Sequence, residues 1–404
     1  MVKYEIKKVL SGIGGRFALV ILVIMVIVVS AIAICSVKFV NEEGISSTGI
    51  AAARNLRKVK SEWTGYLTED IFAAVIQKNA EIEATPEAQS VDWHENDKAY
   101  AKKQGFSDIR DIINCALSKF REYDYYCIDA VSPDEAGRIY ERRITNLKEW
   151  LASDEAKDRY SDRQKAFFLD QYQKLKTPLY YEDMDGWDAV LTYSSTVIML
   201  CMLILGFLVC GIFSNEFQLK ADAVFFSSEK GRRQGVRAKI AAGLALITVI
   251  YWIVVLLYSG IVLAVLGSGG GDCPIQAGFH GWKSFYNITC FQEYLLTIFG
   301  GYIGTLFILT AAMLVSAVTK SAIIAVTLPV AVLFLPTFIG ELSSVSGVLG
   351  LLPDQLLQAG YVVSYFNSYE IGGRVVGALP ILFVTYTVLF LVLVPVLYEL
   401  YRES

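Results

Sequence analysis

Six stretches of this chain run without a charged residue for about the thickness of a lipid bilayer. Phe17–Val37 has 21 residues, Ala189–Phe213 has 25, Ile240–Leu266 has 27 and Tyr294–Val318 has 25. Ser321–Ile339 adds 19 and Val375–Leu397 adds 23. A helix needs about 20 apolar residues to cross the hydrocarbon core. In lipid the backbone must bond to itself, which a helix achieves. Pro329 and Pro336 interrupt the fifth stretch, which neighbouring helices can accommodate. The expected fold is an all-α membrane protein with six transmembrane helices. A large helical extracytoplasmic domain, residues 38–187, lies between the first and second. The first stretch is expected to stay as a span, because its apolar run exceeds the 7–15 residues of a signal-peptide core.

Lysine and arginine placement sets the orientation. Lys3, Lys7, Lys8 and Arg16 precede the first span, and Lys220, Lys230, Arg232, Arg233, Arg237 and Lys239 lie between the second and third. Lys320 and Arg402 follow the fourth and sixth, while the short outer loops carry only Lys283 and Arg374. The expected location is the cell membrane, multi-pass, with both termini cytoplasmic. Residues 38–187 hold 22 basic against 28 acidic residues, and a domain of this length translocates regardless of charge. The net charge of −4 therefore sums an acidic outside and a basic inside, and gives no sign of nucleic-acid binding.

Residues 1–16 read as an amphipathic helix, with Val2, Ile6, Val9 and Leu10 at helical spacing against Lys3, Lys7 and Lys8. A positively charged flank that only fixes topology is the other reading. Residues 38–187 are expected to form several long helices in a bundle or hairpin. Ser132, Pro133 and Glu135 read as a helix start, with Ser132 as N-cap and Glu135 its partner three residues on. Tyr123, Tyr125, Tyr126, Phe167, Phe168, Tyr172, Tyr180 and Tyr181 either pack the core of this domain or form a contact surface for a ligand or lipid. Residues 340–374 are punctuated by Gly and Pro and are expected to form short helices at the outer interface.

Four cysteines fall on the outer side, where disulfides persist. A Cys273–Cys290 bridge would close the hairpin between spans three and four, and Cys115 and Cys127 lie 12 apart. Four free thiols is the alternative, and four cysteines allow three pairings. Asn287-Ile288-Thr289 matches a glycosylation sequon.

Several chemistries lack their residues. There is no Gly-x-x-x-x-Gly-Lys-Ser/Thr loop, no His-Glu-x-x-His and no Gly-x-Ser-x-Gly. With only His94 and His280, neither a metal site nor a His-based triad is expected. Asp188 and Glu293 sit at span ends rather than mid-membrane, so carriage driven by protons or sodium lacks its usual groups.

The loop between spans two and three, residues 214–239, is ordered in a way that positive-inside charge alone does not require. Glu216 comes directly off a span. A short amphipathic helix with Phe217, Asp222, Phe225 and Phe226 follows, then Ser227-Ser228, Arg232-Arg233 and Lys239. This order, with six spans, a leading amphipathic helix and a large outer domain, resembles the ABC-2-type permeases, membrane subunits of bacterial ABC exporters. Glu216, the Ser227-Ser228 turn, Arg232 or Arg233, and Lys239 match the family's glutamate helix, turn, arginine and lysine. Glu229-Lys230 stands where the family usually has a proline. The resemblance implies a permease without its own ATP site, not itself an enzyme. It would work with a cytosolic ATP-binding cassette ATPase docked at Glu216, Phe217, Asp222, Phe225, Phe226, Arg232, Arg233 and Lys239. It also implies a second permease subunit, as homodimer or heterodimer. The expected cargo is an amphipathic peptide or lipid, including a role in antimicrobial-peptide resistance. The alternative is a membrane-anchored sensor or assembly protein whose outer domain binds a ligand.

Overall fold

A computed structural model describes residues 1–227, 229, 231–339 and 349–403, without the side chains of Asp222, Val224, Phe226, Thr337 and Ile339. Helix α1 (Val2–Ser11) is amphipathic: Ile6, Val9 and Leu10 pack inward while Lys3 and Lys7 stay exposed. The backbone turns extended at Gly12, and α2 (Ile13–Ser36) begins. Gly15 is needed at this corner, because a Cβ there would lie 2.1 Å from the carbonyl oxygen of Val9.

The domain between α2 and the next long helix is not built from long helices. A hairpin of β1 (Lys38–Val40) and β2 (Ser46–Thr48) leads into α3 (Ile50–Ser61), of 12 residues. After β3 (Gly65–Tyr66) come α4 (Glu69–Glu83), α5 (Trp93–Lys103), α6 (Ser107–Leu117), α7 (Ile139–Ala152) and α8 (Asp162–Gln173), of 11 to 15 residues. β4 (Tyr180–Tyr181) returns to pair antiparallel with β3. Local caps cut the chain short. Asp92 accepts from the His94 N–H, and Ser161 and Gln164 form a reciprocal capping box at α8. Ser132 caps as its position suggests, accepting from Asp134, and Pro133 opens a 3₁₀ turn ahead of α7. Glu135 does not close the box; its carboxylate faces Arg138 and Arg142 at 3.9 and 3.6 Å.

Beyond the domain, α9 (Asp185–Val209) runs on into α10 (Gly211–Gln218). Then follow α11 (Asp222–Ser227), a π turn at Gly231–Gly235, α12 (Val236–Leu266), α13 (Cys290–Thr319) and α14 (Ala322–Ile339). The C-terminal helix is Ala378–Glu403. Among the described residues, five segments are long and apolar enough to cross a membrane: α2, α9 with α10, Gly231–Leu266, α13 and the C-terminal helix. α14 is apolar but shorter, with Pro329 and Pro336 inside it. α9 packs against α2, α12 and α13, and α13 in turn against α14 and the C-terminal helix. The domain caps one end of this bundle, while α1, the α10–α12 connection and the C-terminus gather at the other.

Residues 349–374 hold two short helices, Asp354–Leu357 and Ala359–Ser364, followed by a strand pair the sequence reading did not foresee. β5 (Ser368–Ile371) pairs with β6 (Arg374–Gly377) through Gly372-Gly373. Both glycines have positive φ, which a two-residue hairpin turn of this kind requires. Residues 340–348 lie outside the described residues.

Bundle and domain share one apolar core, which runs from Leu22 and Val29 through Val190 to Phe72, Ile109 and Ile112. A second, aromatic core fastens the domain to the loops at the same end. Trp150, Phe168 and Tyr172 meet Phe285 from the α12–α13 loop and Phe366 from the segment before β5. Of the aromatic residues singled out from sequence, Phe168, Tyr172 and Tyr181 are core, while Tyr123, Tyr125 and Tyr126 are exposed.

Two polar junctions tighten this seam. Arg143, 3% exposed, donates to the Trp282 and Ser284 carbonyls at 2.8 Å each and lies 3.7 Å over the Tyr172 ring. Lys60 sits 2.8 Å from Asp108 and 2.6 Å from Asp185, the first residue of α9. Burial pulls its amine down, but Asp108 and Asp185 outweigh this and hold it well above its ordinary value. Arg57 on α3 donates to the Leu266 and Val265 carbonyls at the end of α12. Phe168→Ala would open a cavity in the aromatic core and cost ~3–5 kcal/mol. The purified chain should show this as a lower thermal midpoint, and an unchanged midpoint would mean the aromatic core does not carry the seam.

Candidate functional site

The charged elbow lies at the end of the bundle opposite the domain. α10 carries Ile212 and Glu216 four residues apart, hence on one face. Lys239, in the first turns of α12, reaches both: its Nζ donates to the Ile212 carbonyl and to Glu216 Oε2, each at 2.7 Å. Glu5 of α1 stands 3.5 Å from the same ammonium, and Lys8 of α1 donates to Glu216 Oε1 at 2.8 Å. The result is a chain of alternating charges, Glu5–Lys239–Glu216–Lys8, that ties three helices together.

Burial decides what this cluster is for. The Lys239 side chain is 0% exposed and that of Glu216 is 8%. Removing one partner of a buried pair leaves an uncompensated charge, which costs far more than a surface ion pair contributes. Aromatic rings complete the surround. Phe225 lies 5.5 Å from Lys239 Nζ, and Tyr401 of the C-terminal helix packs edge-on against Phe213 with centroids 4.8 Å apart. The Tyr401 hydroxyl donates to the Phe213 carbonyl at 3.0 Å.

The docking residues read from sequence therefore divide. Glu216 and Lys239 are turned inward among α1, α10 and α12, Glu216 8% and Lys239 0% exposed. Phe217 is half-buried, with Lys320 4.5 Å from its ring, and Phe225 is half-buried beside the cluster. Arg232 and Arg233 are exposed on the π turn, and Arg233 pairs with Glu229 at 3.6 Å. The side chains of Asp222 and Phe226, and residues Ser228 and Lys230, lie outside the described residues. Sequence reading missed Glu5 and Lys8 as members of the cluster. Their signal was one acidic residue among the lysines of α1, three positions before Lys8.

The cysteine bridges are not formed: all seven cysteines are free thiols. Cys273 and Cys290 do come together, with the Cys290 N–H donating to the Cys273 carbonyl at 3.0 Å. The Cys290 Sγ, however, lies 3.5 Å from Met184 Sδ. Burial pushes the Cys115 and Cys273 thiols up to about 12, which leaves little thiolate to react. No protein-family model matches the chain, and no curated protein matches it either.

Lys239→Met should cost ~3–5 kcal/mol through the stranded Glu216 charge, whereas Lys239→Met with Glu216→Leu should cost less than either single change. Melting curves of the four proteins in detergent test this, and simple additivity would show that the pair is not coupled. Denatured without reductant, the chain should take up seven maleimide groups by mass. Five or three would reveal bridges.

Proposed function

We propose that the chain is the membrane permease subunit of an ATP-driven exporter, with six spans that include α14. Its termini and elbow face the cytoplasm and its large domain faces the outside. The observation that carries this reading is the interlock at the elbow: one fully buried ammonium, Lys239, holds α1, α10 and α12 together beneath an exposed arginine turn. A force applied to Arg232 and Arg233 enters α12 directly, because Val236 follows the turn without a break. Through Lys239 it also reaches Glu216 on α10, which continues α9, and Glu5 on α1, which leads to α2. Such a joint suits rigid-body switching of a bundle between two packings.

The chain has no phosphate-binding loop of its own. The energy is assigned to a separate cytosolic ATP-binding cassette ATPase that docks on the Gly231–Gly235 turn. A second permease, identical or related, completes the pathway. The transported or extracted molecule is an amphipathic peptide or lipid, and protection against antimicrobial peptides is one use of such export.

Pull-down of the tagged chain from its native membrane in gentle detergent tests this. A stoichiometric soluble protein with a Gly-x-x-x-x-Gly-Lys-Ser/Thr loop is expected, and Arg232→Glu with Arg233→Glu should abolish its recovery while leaving insertion unchanged. Recovery alone, or with a kinase or envelope enzyme and no ATPase even after crosslinking, would favour a sensor or assembly protein instead.

A further inference from the structure

Asp188 on α9 and Glu293 on α13 line one cavity of about 160 Å³ at the domain end of the bundle. Its walls come from four parts of the chain: the first turns of α9 and α13, the α12–α13 loop, and the short helix Ala359–Ser364. Met184, Leu191 and Ile275 make an apolar side, and Tyr361 stands at the exposed edge.

Neither carboxylate is accounted for by the fold. The cap of α13 is closed by Thr289 and Gln292, not by Glu293. Asp188 caps nothing; its N–H continues the helix by donating to the Met184 carbonyl. Among the described residues, neither carboxylate accepts a hydrogen bond or forms an ion pair. The cations of α3 on this side of the bundle are already engaged. Lys60 is held by Asp108 and Asp185, and Arg57 by Asp183 at 3.7 Å and the end of α12. His280, on the rim, pairs with neither acid.

Two half-buried carboxylates facing a largely apolar cavity without a directly paired cation are costly. A bound cation with N–H donors would satisfy both. A metal ion fits poorly, because among the described residues no three His, Cys, Asp or Glu side chains converge to hold one. The size suits an organic group, since a cavity of ~150 Å³ accommodates benzene.

We propose that this cavity binds a primary ammonium ion on a short apolar stem. The ammonium N–H groups are shared between Asp188 and Glu293, and the stem lies against Met184, Leu191 and Ile275. As the point where a transported molecule is recognised, the site rests on the permease reading. As a binding site it stands without it.

The test uses the full chain in phosphatidylcholine nanodiscs, whose headgroups carry no N–H. Titration calorimetry compares benzylammonium with benzyl alcohol, which has the same ring and no charge. Benzylammonium should bind saturably and at least about tenfold tighter. Asp188→Asn with Glu293→Gln should bring the two probes to within about twofold, while Asp272→Asn, outside the cavity, changes nothing. Equal binding of the two probes to the unaltered chain would overturn the proposal without reliance on any variant. So would undiminished benzylammonium binding by the double variant. Replacing part of the lipid with phosphatidylethanolamine identifies the source of the amine. Competition means that a lipid headgroup occupies the cavity, and undisturbed binding means a water-borne amine. No ATP or partner is present, so failure here leaves the ATPase pull-down standing, and failure of that pull-down leaves this result untouched.

Discussion

Everything at the elbow is organised around the cost of burying one ammonium group. Lys239 cannot be removed from water without compensation. It therefore recruits the Glu216 carboxylate and the Ile212 carbonyl from α10 and the Glu5 carboxylate from α1. Glu216, once buried, needs a second donor, which Lys8 supplies. Each member is satisfied by the next, so α1 is pinned to the bundle as well as resting on it. An amphipathic helix held only by its apolar side would be free to slide along the membrane surface. The two ion pairs give it a register.

The opposite end obeys a different economy. There the junction of domain and bundle is mostly apolar and aromatic, with Phe285 and Phe366 reaching from the bundle loops into the domain's rings. The buried Arg143 finds carbonyls in place of carboxylates: it donates to that of Trp282 and joins Gln276 at that of Ser284. One guanidinium thus serves two backbone acceptors at once. Lys60 and Asp185 carry a charge pair across the same seam, from α3 to the first residue of α9.

The long apolar helices were legible because a bilayer imposes length and composition on every segment that crosses it. α14 shows where that rule weakens, since Pro329 and Pro336 fall inside a helix of 18 residues that the sequence treats like the others. The domain was legible as helical but not as six short helices and two small strand pairs. Where a helix of 11 to 15 residues stops is set by what it packs against, and the β3–β4 pairing joins residues more than a hundred positions apart. The Gly372-Gly373 turn carried a hairpin signal that was outweighed by the apolar residues around it. At the elbow, Glu216 and Lys239 were recognisable as a pair of positions, but their burial was not. Nothing local in a loop rich in arginine and lysine marks Lys239 as a residue that turns inward. The carboxylates of Asp188 and Glu293 were read as end charges, because the cavity between them is assembled from four separated segments.

The two grips on α12 have a mechanical consequence. Near its start, Lys239 is locked to α10 and α1; at its end, the carbonyls of Val265 and Leu266 are held by Arg57 of the domain. Its 31 residues make a rod of roughly 46 Å. A rod clamped at both ends to different bodies cannot swivel about its own axis without releasing one clamp. Twist applied at the arginine turn therefore emerges as torque on the domain, and the domain in turn sets how far the elbow can rotate.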